Sequence, residues 1–100
     1  MSAQVVHDAA AQRYELRDGA TVLGYSAYLP AGPSVIVSHT EVDEGHEGEG
    51  LGSLLVRETL TAIRATGKTV IPTCPFTAAY ISRHPEFADL VDPSLRARFR

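Results

Sequence analysis

The sequence predicts an α+β fold with a mixed sheet, in which antiparallel strands lead into a strand, helix, strand unit and then a short C-terminal helix. Three observations carry this reading. The pair Asp18-Gly19, a strong hairpin signal, divides two segments of strand character within RYELRDGATVLGYSAY, residues 13–28. The run SVIVSHTEV at 34–42 is rich in β-branched residues and too short for a helix. An amphipathic stretch from Gly50 to Thr66 separates that run from a second one, TVIPTC at 69–74, and short connections imply two parallel strands joined by a crossover helix.

The elements follow in order. The hairpin occupies 13–28, and PAGP at 30–33 reads as the loop that ends it. In the central strand 34–42, alternation places Val35, Val37, His39 and Glu41 on one face and Ile36, Ser38, Thr40 and Val42 on the other. On the helix, at 100° per residue, Leu51, Gly52, Leu55, Val56, Thr59, Ala62 and Ile63 share one arc, while Ser53, Arg57, Thr61 and Arg64 oppose them. Gly67 is the expected stop. After the strand at 69–74, FTAAYISRH at 76–84 is a short helix ended by His84-Pro85, because a residue before proline avoids the α region.

One hundred residues suffice for one modest core, so residues 1–100 are expected to form a single domain. A net charge of −3 supplies no basic surface for displacing counterions from phosphates, which argues against nucleic acid as a partner. The arginines of the final LRARFR, Arg96, Arg98 and Arg100, read as a solvated tail. The N-terminus lacks the pattern of a signal peptide, one cysteine cannot pair within the chain, and no apolar run approaches the roughly 20 residues that span a bilayer. A cytoplasmic protein without membrane contact, monomeric or weakly dimeric, is the expectation.

Candidate chemistry gathers at the carboxyl ends of the two parallel strands, where crossover units of this kind bind ligands. His39 and Glu41 lie on one strand end and Cys74 on the other. Between them runs EVDEGHEGEGLGSLL, residues 41–55, a glycine loop that opens a helix, where free backbone N–H groups and the helix dipole favour an anionic phosphate. The loop lacks the Gly-Lys-Ser/Thr ending of a nucleotide-hydrolysing P-loop, and glycines at 48, 50 and 52 do not match dinucleotide spacing. Its acidic residues with His46 do not match a calcium loop, and no metal is expected.

Gly48-Glu49-Gly50-Leu51-Gly52, after a strand and before an amphipathic helix, resembles the coenzyme A pyrophosphate loop of the GNAT N-acetyltransferase superfamily, whose pattern is Gln/Arg-x-x-Gly-x-Gly/Ala. With HTEV at 39–42 and VIPTCPFTAAYISRHPEFADLV at 70–91, the chain is similar over residues 13–91 to small single-domain GNAT-like proteins of the YjdJ type. The resemblance implies a minimal GNAT fold with acetyl-coenzyme A as co-substrate and an amine acceptor that the sequence does not reveal. It places the pantetheine arm on the backbone around Glu41 and Val42. The pyrophosphate falls on the loop from Glu47 through Gly48, Glu49, Gly50, Leu51 and Gly52 to Ser53. Phe76 and Tyr80 are expected to line the thioester end, and His39 and Cys74 to form an active-site pair.

Glu47 stands where the family pattern has Gln or Arg, and Glu49 where relatives often carry Lys or Arg. Each exposed carboxylate within about 5 Å of a pyrophosphate would repel it by roughly 1 kcal/mol, so this departure from the family pattern predicts weaker, salt-sensitive binding held by backbone donors. Two routes of transfer fit these residues. In one, Glu41 or His39 deprotonates the amine for direct attack and Tyr80 or Cys74 protonates the leaving thiolate. In the other, His39 activates Cys74 as a nucleophile that carries the acetyl group. A non-catalytic acyl-coenzyme A binding or interaction module is the reading from another class, and a Cys74-His39 thiol hydrolase, lacking an orienting third residue, ranks last.

Overall fold

A computed structural model describes residues 3–43 and 50–99. Five strands form one sheet in chain order: β1 (Ala3–Asp8), β2 (Arg13–Asp18), β3 (Thr21–Ala31), β4 (Ser34–Val42) and β5 (Thr69–Pro72). The first four are antiparallel and β5 joins β4 in parallel. Between them lies α1 (Leu51–Ala65), and after β5 come α2 (Pro75–Arg83) and two 3₁₀ segments, Pro85–Leu90 and Pro93–Phe99. This is the mixed α+β sheet that the sequence predicts, with the parallel pair in place.

Differences from the sequence reading have identifiable causes. Pro30 and Ala31 extend β3, since proline is tolerated where a strand ends, and only Gly32 and Pro33 turn the chain. β5 ends at Pro72 rather than residue 74 because the chain there bends toward α2. Strand β1 was not expected. Its residues AQVVHD carry little alternation because it is an edge strand that buries only one side, with Val5 packed inward and Val6 exposed. Of the arginines read as a solvated tail, Arg98 is exposed and Arg100 lies outside the described residues, but Arg96 is anchored. Arg96 donates to the carbonyls of Val91 and Asp89, Asp92 N–H donates to Val70 O at 2.8 Å, and Phe99 packs against the core. The segment around Val91 thereby covers the outer edge of β5.

All helical segments pack on one sheet face. Val35, Val37 and Val70 meet Val56, Leu60 and Ile63 of α1, Ile81 of α2 and Phe87 in one apolar cluster, while Leu16, Leu23, Leu51 and Leu55 form a second beneath the start of α1. Within the first cluster's helix, Thr59 is 1% exposed and its hydroxyl has no hydrogen-bond partner among the described residues. A buried hydroxyl without a partner costs more than it returns, so Thr59→Val is expected to raise stability by about 1 kcal/mol, read as a higher urea midpoint at unchanged slope. A lower midpoint would show that the hydroxyl is satisfied.

On the other face no described helix covers the sheet. Glu15 is nevertheless only 2% exposed there, because Arg13 and Arg17 close over it from either side and donate to its two carboxylate oxygens. Hydrogen bonds from Arg17 and then Arg13 outweigh the opposing effect of burial and hold the carboxyl below its ordinary range. Because the folded pKa lies below the unfolded one, the unfolded chain binds more protons between them, and this stabilisation is lost as pH falls through that interval. Glu15→Gln is expected to flatten the stability-against-pH curve on its acid side, measured by urea denaturation across pH 3–6, roughly the range of carboxyl titration.

Candidate active site

The geometry of the site is set by two irregularities in β4. The first is a β-bulge. Tyr28 of β3 faces Val37, yet the next residue back, Ala27, faces His39, so Ser38 is an extra residue in β4. The bulge reverses the alternation beyond it. Val35 and Val37 point to the helices, and so do Thr40 and Val42, whereas His39 and Glu41 turn to the open face. Regular alternation along 34–42 had placed His39 and Glu41 with the valines, and the inserted residue overturns that.

The second irregularity is that β4 loses its partner halfway. Pairing with β5 runs from Ser34↔Thr69 to Val37↔Pro72 and stops. Thr73 and Cys74 then direct their N–H groups to the single carbonyl of Val37, at 3.2 and 3.1 Å, and the chain leaves into α2. Beyond Val37, β4 continues for five residues with β3 on one side only. Asp43 N–H donates to Leu23 O at 2.7 Å, so alternation directs the backbone groups of Glu41 toward β3 and those of Thr40 and Val42 to the unpaired edge.

Two helix starts converge on this edge. α1 begins at Gly50, whose φ of 76° lies in the left-handed region that glycine adopts at little cost. Its first turn has no side-chain cap and no acidic residue, so the N–H groups of Leu51, Gly52 and Ser53 have no partner among the described residues, while Leu54 donates to Gly50 O. Leu51 itself is buried and Ser53 exposed. α2 begins at Cys74-Pro75, and the ring of Phe76, 46% exposed, lies against Gly52 so closely that a Cβ there would meet it at 2.7 Å. Phe76 thus bridges the two helix starts.

Cys74 is buried on the helix side of the unpaired edge. Burial pushes its thiol pKa up, but donors outweigh this and lower it: the Thr77 backbone N–H, the Thr40 hydroxyl, the Phe76 N–H and the Thr77 hydroxyl. None forms a capping hydrogen bond with the thiol, so they act mainly by favouring the thiolate. Around it runs a hydroxyl chain, Ser26 to Thr40 at 3.0 Å and Thr40 to Thr77 at 3.3 Å. Sequence reasoning missed Ser26, Thr40 and Thr77, because only the bulge brings Thr40 to this face.

His39 and Glu41 form a separate pair on the open face, with Nε2 3.1 Å from Oε1 and both side chains more than half exposed. His39 also lies against Tyr25, ring centroids 5.9 Å apart. The expected pairing of His39 with Cys74 is therefore not found: the two residues stand on opposite faces of the sheet. Tyr80 sits in the core, stacked on His84 at 3.9 Å, and burial raises its phenol pKa, with Glu86 adding to the shift and Arg57 opposing it. Glu47, Gly48 and Glu49 lie outside the described residues. Among the described residues no group of three or more His, Cys, Asp or Glu is placed to hold a metal, and no helix is long and apolar enough to cross a membrane.

A sequence model of the GCN5-related N-acetyl-transferase family matches residues 13–90. The chain belongs to this family. A comparison with curated proteins returns no match. The matched region runs from the start of β2 to the end of the first 3₁₀ segment, so it contains the bulged strand, both helix starts and Cys74. Acetyl-coenzyme A is the co-substrate of the family. β1 and the last 3₁₀ segment lie outside the match.

Proposed function

We propose that the chain is an acetyl-coenzyme A-dependent N-acetyltransferase of the small YjdJ type, formed by residues 1–100 as one domain, which transfers the acetyl group directly to an amine. The unpaired edge of β4 beyond Val37, flanked by two helix starts, carries this reading. Pantetheine amides pair with the backbone of Thr40 and Val42 as an added strand would. The pyrophosphate sits at the uncapped first turn of α1, at Gly50 to Ser53, where backbone donors need no cationic side chain.

The separation of Cys74 from His39 assigns them different tasks. The acceptor amine enters from the open face, where Glu41, oriented by His39, takes its proton as the nitrogen attacks the thioester carbonyl. Charge developing on the carbonyl oxygen meets a backbone N–H of the unpaired edge. The carbon–sulfur bond then breaks toward the helix face, and the coenzyme A thiolate receives the proton of Cys74, whose thiol pKa the surrounding donors lower. Base and acid thus flank the slot from opposite sides of the sheet.

One observation favours a second route. A thiol with a lowered pKa beside a helix start is also a competent nucleophile, and an acetyl-cysteine at Cys74 would need no histidine partner. Titration with acetyl-coenzyme A in a calorimeter, followed by intact-mass measurement and turnover on a panel of amines, separates these outcomes. Direct transfer predicts binding and turnover without a stable adduct. An adduct abolished by Cys74→Ala supports the second route, binding without turnover identifies a non-catalytic module, and no binding at millimolar ligand removes the acetyltransferase reading altogether.

A further inference from the structure

At the other end of β4 from the acetyl-transfer slot, a cavity of about 140 Å³ opens between the sheet and the end of α1. Its floor is apolar, made by Val35 and Ile63, and its walls are the aromatic side chains of His7, Tyr14 and Tyr28. These rings are fixed by one another. His7 stacks on Tyr14 with centroids 4.4 Å apart, and its Nε2 stands 2.6 Å from the Tyr28 hydroxyl. Strand register aligns them, since His7 opposes Tyr14 and Tyr14 opposes Ser26, two residues before Tyr28 on the same face.

Two polar groups line this cavity without a hydrogen-bond or ion-pair partner among the described residues. Tyr14 is 5% exposed as a residue, but its hydroxyl is not among the buried polar atoms and forms no hydrogen bond with a described residue, so it remains open to a ligand on the cavity that Tyr14 lines. Lys68, the sole Lys or Arg on the lining, makes no ion pair with a described residue. A hydroxyl donor and an ammonium above an apolar floor complement an anion attached to an apolar body. A cationic ligand would meet Lys68 as a like charge. The volume is close to the roughly 150 Å³ of a dry cavity that takes up a single benzene ring.

We propose that this cavity is a second binding site, for a small organic carboxylate whose body is about the size of one ring, with the carboxylate accepting hydrogen bonds from the Tyr14 hydroxyl and the Lys68 ammonium. The ring of the ligand rests on Val35 and Ile63 and meets the edges of Tyr28 and His7. Nothing in this site depends on acetyl-coenzyme A, so it stands whether or not the chain transfers acetyl groups.

The test is an amide NMR titration of the whole chain with benzoate, benzamide and benzylamine as probes of equal size and different charge. Benzoate at millimolar concentration is expected to give saturable shifts at His7, Tyr14, Tyr28 and Lys68, with little response to the other two. Tyr14→Phe, which keeps the ring stack, and Lys68→Met, at an exposed position, are each expected to weaken benzoate by about five- to tenfold, the effect of one lost hydrogen bond or charge contact. Absence of saturable shifts, an equal response to all three probes, or unchanged benzoate affinity in both variants would overturn the proposal.

Discussion

Gly24→Ala is expected to destabilise the fold by about 1–3 kcal/mol, the cost of forcing a methyl group into a space already filled. Gly24 of β3 faces Val42 of β4, and a Cβ built on it would stand 2.5 Å from Glu41 O and 3.0 Å from Val42 Cα. Both contacts are backbone, so no side chain can rotate away and β4 itself must move. That movement falls on the stretch whose free backbone groups are assigned to pantetheine. Acetyl-coenzyme A affinity is therefore expected to fall by at least about tenfold in the same variant, beyond what an unrelated destabilised mutant shows. Urea denaturation with calorimetry checks both parts, and a variant of wild-type stability would show that β3 and β4 tolerate the extra atom. At Gly50 the reason for glycine is different: among the described residues nothing lies within 4 Å of a Cβ placed there, but φ is positive, so Gly50→Ala costs only about 1–2 kcal/mol of backbone strain.

How far the fold was legible in the sequence follows from the range of the interactions involved. β4 at 34–42 and α1 within a residue of its ends were readable, because β-branched density and 3.6-residue periodicity are local signals. β1 was not, since an edge strand with one packed side has a weak pattern and gains its register only from β2. The site shows the same division. That Gly50, Cys74 and Glu41 gather at one end of the sheet was visible from element order alone. Which face each side chain takes was not, because one inserted residue, Ser38, exchanges every orientation after it, and such a bulge is decided by pairing with β3 rather than by the segment's own residues. The error reached the chemistry by overlooking Thr40 and Thr77, the hydroxyl groups that face the thiol, while the pairing of His39 with Cys74 came from the family resemblance and not from the strand pattern.

The corrected orientation makes Glu41→Gln the most discriminating substitution for the proposed transfer. Glu41 lies on the open face beside His39, away from the helix side that holds Cys74 and its hydroxyl groups. Removing its charge leaves size and backbone unchanged, so β4 keeps its register with Tyr25 and the unpaired edge remains available. Loss of a general base typically lowers rate by about 10²–10⁴-fold, and kcat/KM for the best amine of a panel is expected to drop at least about 100-fold. Acetyl-coenzyme A binding, in contrast, is expected to stay within about twofold, because the side chain touches none of the groups assigned to the cofactor. Steady-state kinetics and calorimetry on one preparation separate the two effects. His39→Gln should lower the rate less than Glu41→Gln does, since it removes the partner that orients the carboxylate and leaves the base itself. Equal turnover in Glu41→Gln and wild type would remove the carboxylate from the mechanism, and a loss confined to acetyl-coenzyme A affinity would place the side chain on the cofactor instead of the acceptor.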